Sequence, residues 1–385
     1  MQITQDVKYV GVNDKRDILF EGQFTVPDGM AYNSYVIIDE KIAVMDSVDA
    51  GFTAQWLDNI DKELGGRTPD YLVVQHMEPD HSASILGFIE KYPAAAVVSS
   101  DKAFKMMKAF YGTDCAERRV VIKEGDTLAL GKHTLRFFTA PMVHWPEVVV
   151  TYDECEKILF SADGFGKFGA LDSEDEWACE ARRYYFGIVG KYGAQVQALL
   201  KKLSGVDVKI ICPLHGPVLA DNLDYYIGLY DTWSSYRAET EGVAIVYTSA
   251  YGNTAKAAEL LARLLSEKGI KVAVSKLGEC DMAEAVEDAF RYSHLVLATT
   301  TYNGDIFPFM RHFIYGLTER GYKNRTVGLI ENGSWAPTAV KVMKGMLEDS
   351  KDLRILDTTV KITSALDEIS RDAVYKLAEE ITKDF

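Results

Sequence analysis

Apolar positions follow one rhythm through the first part of this chain and a different one near its end. Residues 1–50 carry short alternating runs broken by turn residues. Tyr35–Asp39 and Ile42–Asp46, split by Glu40-Lys41, predict a hairpin. Helical spacing over 52–65 leads into the apolar run Tyr71–Gln75, which predicts a buried strand. A strand at 95–98 and a helix at 101–111 come next. Strands are predicted at 119–122, 127–130 and 134–139, then a hairpin of 147–152 with 157–161. A long helical pattern covers about 178–203, and a strand follows at 208–212. These elements do not alternate regularly enough for one parallel sheet, so two mixed sheets with helices outside are expected.

The stretch 232–242 loses all periodicity and reads as a linker. Beyond it, strands near 243–247, 271–276, 294–299, 325–330 and 355–362 each precede a helical pattern. Five parallel strands in about 140 residues make one doubly wound domain. The chain is therefore α/β throughout, with expected domains at 1–240 and 243–385.

Composition narrows the function classes. A length of 385 residues suits two or three domains. A net charge of −15 without any long Lys/Arg cluster argues against nucleic acid and anionic membrane as partners. No apolar run reaches membrane-span length and residues 1–6 lack a signal-peptide pattern, so a cytoplasmic protein is expected. The five cysteines (115, 155, 179, 212, 280) form no CxxC pair. That excludes a cysteine-held rubredoxin or ferredoxin centre within the chain and suits a reducing compartment.

The chemistry concentrates in His76-Met77-Glu78-Pro79-Asp80-His81. Four of these six residues carry metal-ligand side chains, on a loop between the 71–75 strand and a helical pattern starting at Ser84. Open α/β sheets place ligands at such strand ends, and Pro79 stiffens the loop. An acidic helix cap accounts for one or two such residues, not for four with matching partners downstream. Those partners are His144, Asp163 and His215, each just after a predicted strand. Singly, each reads as a rim histidine or a helix cap. Jointly, seven ligands exceed the needs of one tetrahedral ion and suit a pair. Two cations ~3.5–4 Å apart need a bridging carboxylate, and Asp163 is the expected bridge. The arrangement resembles the metallo-β-lactamase superfamily, whose usual motif is H-x-H-x-D-H and whose usual metal is zinc. Here Glu78 stands in the second position. A carboxylate is a harder donor than imidazole and moves the preference toward iron or manganese. With no thiolate at the ligand positions, a non-haem di-iron centre is expected.

A second site follows the 243–247 strand. Thr248, Ser249, Ala250, Tyr251, Gly252, Asn253 and Thr254 precede a helix, a good setting for a terminal phosphate. The loop has no Lys, so a Walker-type triphosphate site is not expected. Two further loops leave strand ends on the same edge, one with Thr300, Thr301, Tyr302, Asn303 and Gly304, the other with Gly333, Ser334, Trp335 and Ala336. Tyr302 and Trp335 offer faces to a flat ring. Singly, each loop is an ordinary turn with a surface aromatic; the three in register resemble flavodoxin, whose cofactor is FMN. Gly164-Phe165-Gly166-Lys167-Phe168-Gly169 matches G-x-G-x-x-G, but no amphipathic helix starts there, so it is read as the loop behind Asp163. His133, His294 and His312 are read as structural or exposed.

A metallo-β-lactamase-like αββα sandwich with H-x-E-x-D-H, joined to a flavodoxin-like five-stranded parallel sheet, resembles the flavodiiron proteins over essentially the whole chain. The resemblance implies His76, Glu78 and His144 on one iron, Asp80, His81 and His215 on the other, and Asp163 between them. His81 is the ligand on which family members differ. It also implies reduction of dioxygen to water and/or nitric oxide to nitrous oxide, with electrons passing through FMN from an external rubredoxin-like protein or a reduced deazaflavin. A head-to-tail homodimer or a dimer of dimers is implied as well, each flavin serving the partner's irons. Two rival readings are a zinc-dependent hydrolase fused to a flavodoxin and an electron carrier with a vestigial metal site. Glu78 weighs against the first and the complete ligand set against the second.

Overall fold

Alternate residues of the first hairpin decide how the amino-terminal unit closes. Tyr35 and Ile37 of strand Tyr35–Ile38, with Ala43 and Met45 of strand Ile42–Met45, point to one face. There they meet Leu135, Phe137, Val149, Ile158 and Phe160 of a second sheet, all buried. Successive side chains of a strand point to opposite faces, and burying both inner faces builds one core. The computed structural model describes residues 2–17 and 19–385.

In this unit the first sheet orders its strands Val7–Tyr9, Tyr35–Ile38, Ile42–Met45, Tyr71–Val73, Ala96–Ser100 and Arg119–Ile122. The second orders Thr127–Ala129, Thr134–Thr139, Val149–Asp153, Ile158–Phe160 and Ile210–Cys212. Both are mixed, and helices such as Thr53–Leu64 cover the outside through Trp56, Ile60 and Leu64 at four-residue spacing. Left-handed Gly65 ends that helix. The result is the αββα sandwich. Phe137 sits at its centre, fully buried. Phe137→Ala should cost about 3–5 kcal/mol and bring forward the first transition in urea followed by circular dichroism; an unmoved transition would mean that the inner faces tolerate the cavity.

The other unit is a parallel sheet in the order Val272–Lys276, Thr240–Tyr247, Tyr292–Tyr302, Arg325–Asn332, Leu353–Ile362. Numbered along the chain this is 2-1-3-4-5, the flavodoxin order. A short strand, Asp305–Ile306, pairs antiparallel with the third. The buried runs Val243–Tyr247 and Leu295–Ala298 are apolar on both faces because helices cover both.

The compact units do not divide at one point. One takes residues up to Tyr185 with Ala194–Tyr230, the other Phe186–Gly193 with Asp231–Phe385. The long helical pattern at 178–203 accordingly breaks. Helix Trp177–Tyr184 passes through a π turn (Tyr185–Val189) and a 3-10 turn (Gly190–Tyr192) before helix Gly193–Leu203. Phe186 stacks on Phe290 at 4.1 Å, and Arg320 Nε donates to Phe186 O at 2.7 Å. Those tertiary bonds outweigh the helical preference of the segment. The expected linker also shortens, since helix Leu223–Ser234 and strand Thr240–Tyr247 leave only 235–239 between them.

Candidate metal centre and flavin cleft

Four strand ends of the sandwich deliver the seven residues singled out in the sequence. The loop after Tyr71–Val73 carries His76 and Glu78, then closes into a one-turn helix, Pro79–Ser82, with proline at its first position. Asp80 and His81 therefore sit on a helical turn, tighter than the open loop expected. Ser47 Oγ donates to His81 O at 2.7 Å and Ser82 Oγ to Met77 O at 2.8 Å, which fixes this turn. Ala162, in the left-handed region at φ 49°, turns the chain so that Asp163 faces inward.

The side chains meet as two groups. In the first, His76 Nε2 lies 3.2 Å from Glu78 Oε2 and 3.3 Å from His144 Nε2. In the second, His81 Nε2 lies 3.0 Å from His215 Nε2 and 3.3 Å from Asp80 Oδ2, and His215 Nε2 is 3.3 Å from Asp80 Oδ2. Asp163 spans both: Oδ2 is 2.9 Å from His144 Nε2, and Oδ1 is 3.3 Å from His81 Nε2. Donors sharing one cation at about 2.1 Å stand about 3.0–3.4 Å from each other. Both groups have that spacing. Asp80 Oδ1 and Oδ2 and Asp163 Oδ1 are buried and have no hydrogen-bond partner among the described residues. Orphaned buried carboxylate oxygens are costly unless something positive meets them, so the donor set fits a pair of cations. This geometry includes His81 as fully as the others.

Electrostatics agree with that fit. Burial opposes a proton on His76, yet Asp163, Glu147 and Glu78 together hold its pKa well above the ordinary value. His144 behaves likewise, pushed up to about 9 against its burial by Asp163 and Glu78. Burial would raise the Asp163 carboxyl, but His76, His144 and His81 hold it well below its usual range. The same carboxylates that favour a proton on His76 and His144 would favour a cation there, and metal binding would release those protons. Aromatic rings wall the site: Trp145 stands 5.2 Å from His76, and Tyr184 and Phe20 lie 5.4 and 5.5 Å from His215.

Two supporting carboxylates carried no signal in the sequence. Glu147 Oε1 accepts from His76 Nδ1 at 2.8 Å and from Met77 N at 2.9 Å. Asp46 accepts from Gln75 N and Gln75 Nε2 at 2.7 and 2.8 Å. Only folding brings them to the ligand loop. His133, read as structural or exposed, is buried 2.9 Å from Asp153 Oδ2 with Asp6 and Glu156 close by. His294 Nε2 is 2.9 Å from Asp384 Oδ2, and His312 is exposed. The 164–169 glycines start no helix.

In the other unit a cleft of about 650 Å³ opens at the carboxyl edge of the parallel sheet. It gathers the three expected loops, 249–254, 300–304 and 333–336. Two expected residues do not line it. Thr248 is buried with its hydroxyl 2.6 Å from Thr299 Oγ1, and Gly252, at φ 82°, supplies the turn into helix Asn253–Glu267. Asn332 and Ser364 line it unforeseen. Gly252 has no side chain to cap that helix; Ser249 Oγ accepts from Ala255 N at 3.2 Å, and the start of the 15-residue helix, Asn253 and Thr254, lines the cleft. Tyr251 and Trp335 stand 94% and 83% exposed. A phosphate cradle beneath two aromatic faces, in a cleft of this size, fits FMN.

Fold and site together define a metallo-β-lactamase-like metal domain joined to a flavodoxin. An ODP family beta lactamase model matches residues 30–216, and a flavodoxin model matches residues 245–368. Together the two models cover most of the chain, which is similar over nearly its whole length to solved flavodiiron proteins. It is 28% identical to the rubredoxin-oxygen oxidoreductase of Megalodesulfovibrio gigas over 87% of this chain and 85% of that one. It is 29% identical to a nitric oxide reductase of Moorella thermoacetica, over 91% and 90%. Among solved structures, rubredoxin oxygen:oxidoreductase from Desulfovibrio gigas aligns with a TM-score of 0.92 at 26% identity, covering 100% of this chain and 98% of that chain. The flavodiiron protein of Giardia intestinalis aligns at 0.89 and 26%, covering 99% and 96%.

Proposed function

We propose that this protein is an oxidoreductase that reduces dioxygen to water, nitric oxide to nitrous oxide, or both, at a non-haem di-iron site, with electrons entering through FMN. The observation that carries this reading is Asp163, whose two oxygens face two separate histidine–carboxylate groups. His76, Glu78 and His144 would hold one iron, Asp80, His81 and His215 the other, and Asp163 would bridge. The cleft at 249–254, 300–304 and 333–336 would hold FMN, with its phosphate at the amino end of helix Asn253–Glu267. When bound, the irons supply electrons and open coordination positions for a diatomic gas, and FMN supplies electrons to the irons.

The chain's own residues prepare that site. His76 Nδ1 keeps its proton on Glu147, which leaves Nε2 free as a donor. His215 does the same by donating from Nδ1 to Ala31 O at 2.8 Å. Tyr184 is fully buried; burial, reinforced by the Asp163, Glu78 and Asp80 charges, holds its phenol protonated far above the ordinary range. Phe20 and Tyr184, both buried, and Trp145 place aromatic rings against His215 and His76, which limits the contact of bulk water with those two rings.

The functional domains in this reading are 1–240 and 243–385. The donor would be a separate rubredoxin-like protein or a reduced deazaflavin, and the working assembly a head-to-tail homodimer or a dimer of dimers. Among the described residues no helix is long and apolar enough to cross a membrane. We place the protein in the cytoplasm, where its free cysteines would stay reduced.

Anaerobic turnover of the chemically reduced protein with each gas tests the activity; oxidation by neither gas would reject it. Purified from iron-replete cells, the protein should hold two irons and one FMN per chain and little zinc, because Glu78 replaces an imidazole with a harder donor. Stoichiometric zinc in protein active as an oxidase would overturn the metal assignment.

A further inference from the structure

The two ligand groups are supported differently. In the first, His76 Nδ1–H donates to a carboxylate, Glu147 Oε1, at 2.8 Å. In the second, His215 Nδ1–H donates to a neutral backbone carbonyl, Ala31 O, and His81 Nδ1 has no hydrogen-bond partner among the described residues. Glu147 is 2% exposed, its other oxygen has no hydrogen-bond partner, and no Lys or Arg pairs with it among the described residues. Its one further bond, from Met77 N, ties it to the ligand loop. The other buried carboxylate nearby, Asp46, binds Gln75 and the loop backbone and touches no ligand ring. A buried, otherwise unpaired carboxylate on a ligand histidine is a large cost unless positive charge lies beyond the ring.

We propose that Glu147 is a positioning residue that fixes the donor tautomer of His76 and makes the metal position of His76, Glu78 and His144 the more electron-rich of the two. A carboxylate on the far nitrogen raises the basicity of a ligand imidazole, whereas an amide carbonyl does so less. The ligand carboxylates Glu78, Asp80 and Asp163 leave a divalent pair one negative charge short of neutrality, and Glu147 supplies it through His76. Electron density pushed through one ring only makes the two positions unequal before any gas binds. The position on His76 should then be the first oxidised and the harder to reduce.

This inference rests on the di-iron reading, and its test separates the two. Wild-type protein is first assayed for iron; an absence of iron there rejects the di-iron reading itself. With iron present, Glu147→Gln keeps the side chain's shape and an oxygen acceptor for both His76 Nδ1–H and Met77 N–H while removing the charge. It should retain both irons, and a reductive titration followed by the paramagnetic resonance of the half-reduced pair should show a raised potential. Glu147→Ala removes the acceptor as well, and its iron content should fall from two toward one, with the Asp80, His81 and His215 position still filled. Full iron with an unmoved potential in Glu147→Gln would overturn the inference, and so would loss of both irons from Glu147→Gln in a protein that keeps its fold by circular dichroism. FMN content and flavin reduction should match wild type in both variants.

Discussion

Asp163→Ala should abolish gas reduction and leave the flavin intact. Asp163 is 1% exposed and contributes one oxygen to each ligand group, so its loss damages both metal positions together. Removing a group that merely supports a metal ligand costs about 10–100-fold in affinity or activity, and a shared ligand should cost more than the upper end of that range. Iron should fall well below two per chain, and turnover with either gas should drop to background. Flavin absorbance and its reduction by dithionite should not change, because the 249–254, 300–304 and 333–336 loops belong to the other unit. Loss of FMN from this variant would show that the two sites do not fold independently. Retained turnover would remove Asp163 from the centre altogether.

Subunit mixing should restore activity to two inactive proteins if flavin and iron work across a dimer. His76→Ala removes a ligand from the first group and leaves the flavin cleft untouched. The double variant Gly252→Lys, Thr254→Lys should lose FMN. Gly252 holds φ 82°, where a side chain is strained, and Thr254 is buried at the helix start, so two lysines distort and fill the phosphate cradle. Each protein alone should be nearly inactive. After subunit exchange, a head-to-tail heterodimer pairs one good flavin with one good iron site, and random assortment predicts recovery to about a quarter of wild type. Exchange confirmed by native mass spectrometry with no recovered activity would place electron transfer within one chain.

The cluster of candidate ligands was legible because each member lies just beyond an apolar strand, and strand ends of a sandwich converge on one rim. His76, Glu78, Asp80, His81, His144, Asp163 and His215 indeed meet there, although 139 positions separate the first from the last. Glu78 in place of a histidine was equally legible, since a ligand's hardness belongs to its side chain and needs no coordinates. The flavodoxin sheet could be read strand by strand because covering helices on both faces demand uninterrupted apolar runs.

Support for the ligands was a different matter. Glu147 reaches His76 across 71 residues of sequence, and Ala31 meets His215 across 184. A buried carboxylate that backs a histidine ring looks, along the chain, like any surface glutamate. The break in the 178–203 helix was hidden for a similar reason: helical propensity is local, while Phe186 stacking on Phe290 and Arg320 bonding to Phe186 O come from far along the chain. The sequence by itself determined which candidate donors this protein brings to one rim, because that depends on side-chain chemistry and strand period. Only the tertiary structure decided which oxygen of Asp163 faces which group and which histidine is backed by charge, because those depend on contacts between residues far apart in the chain.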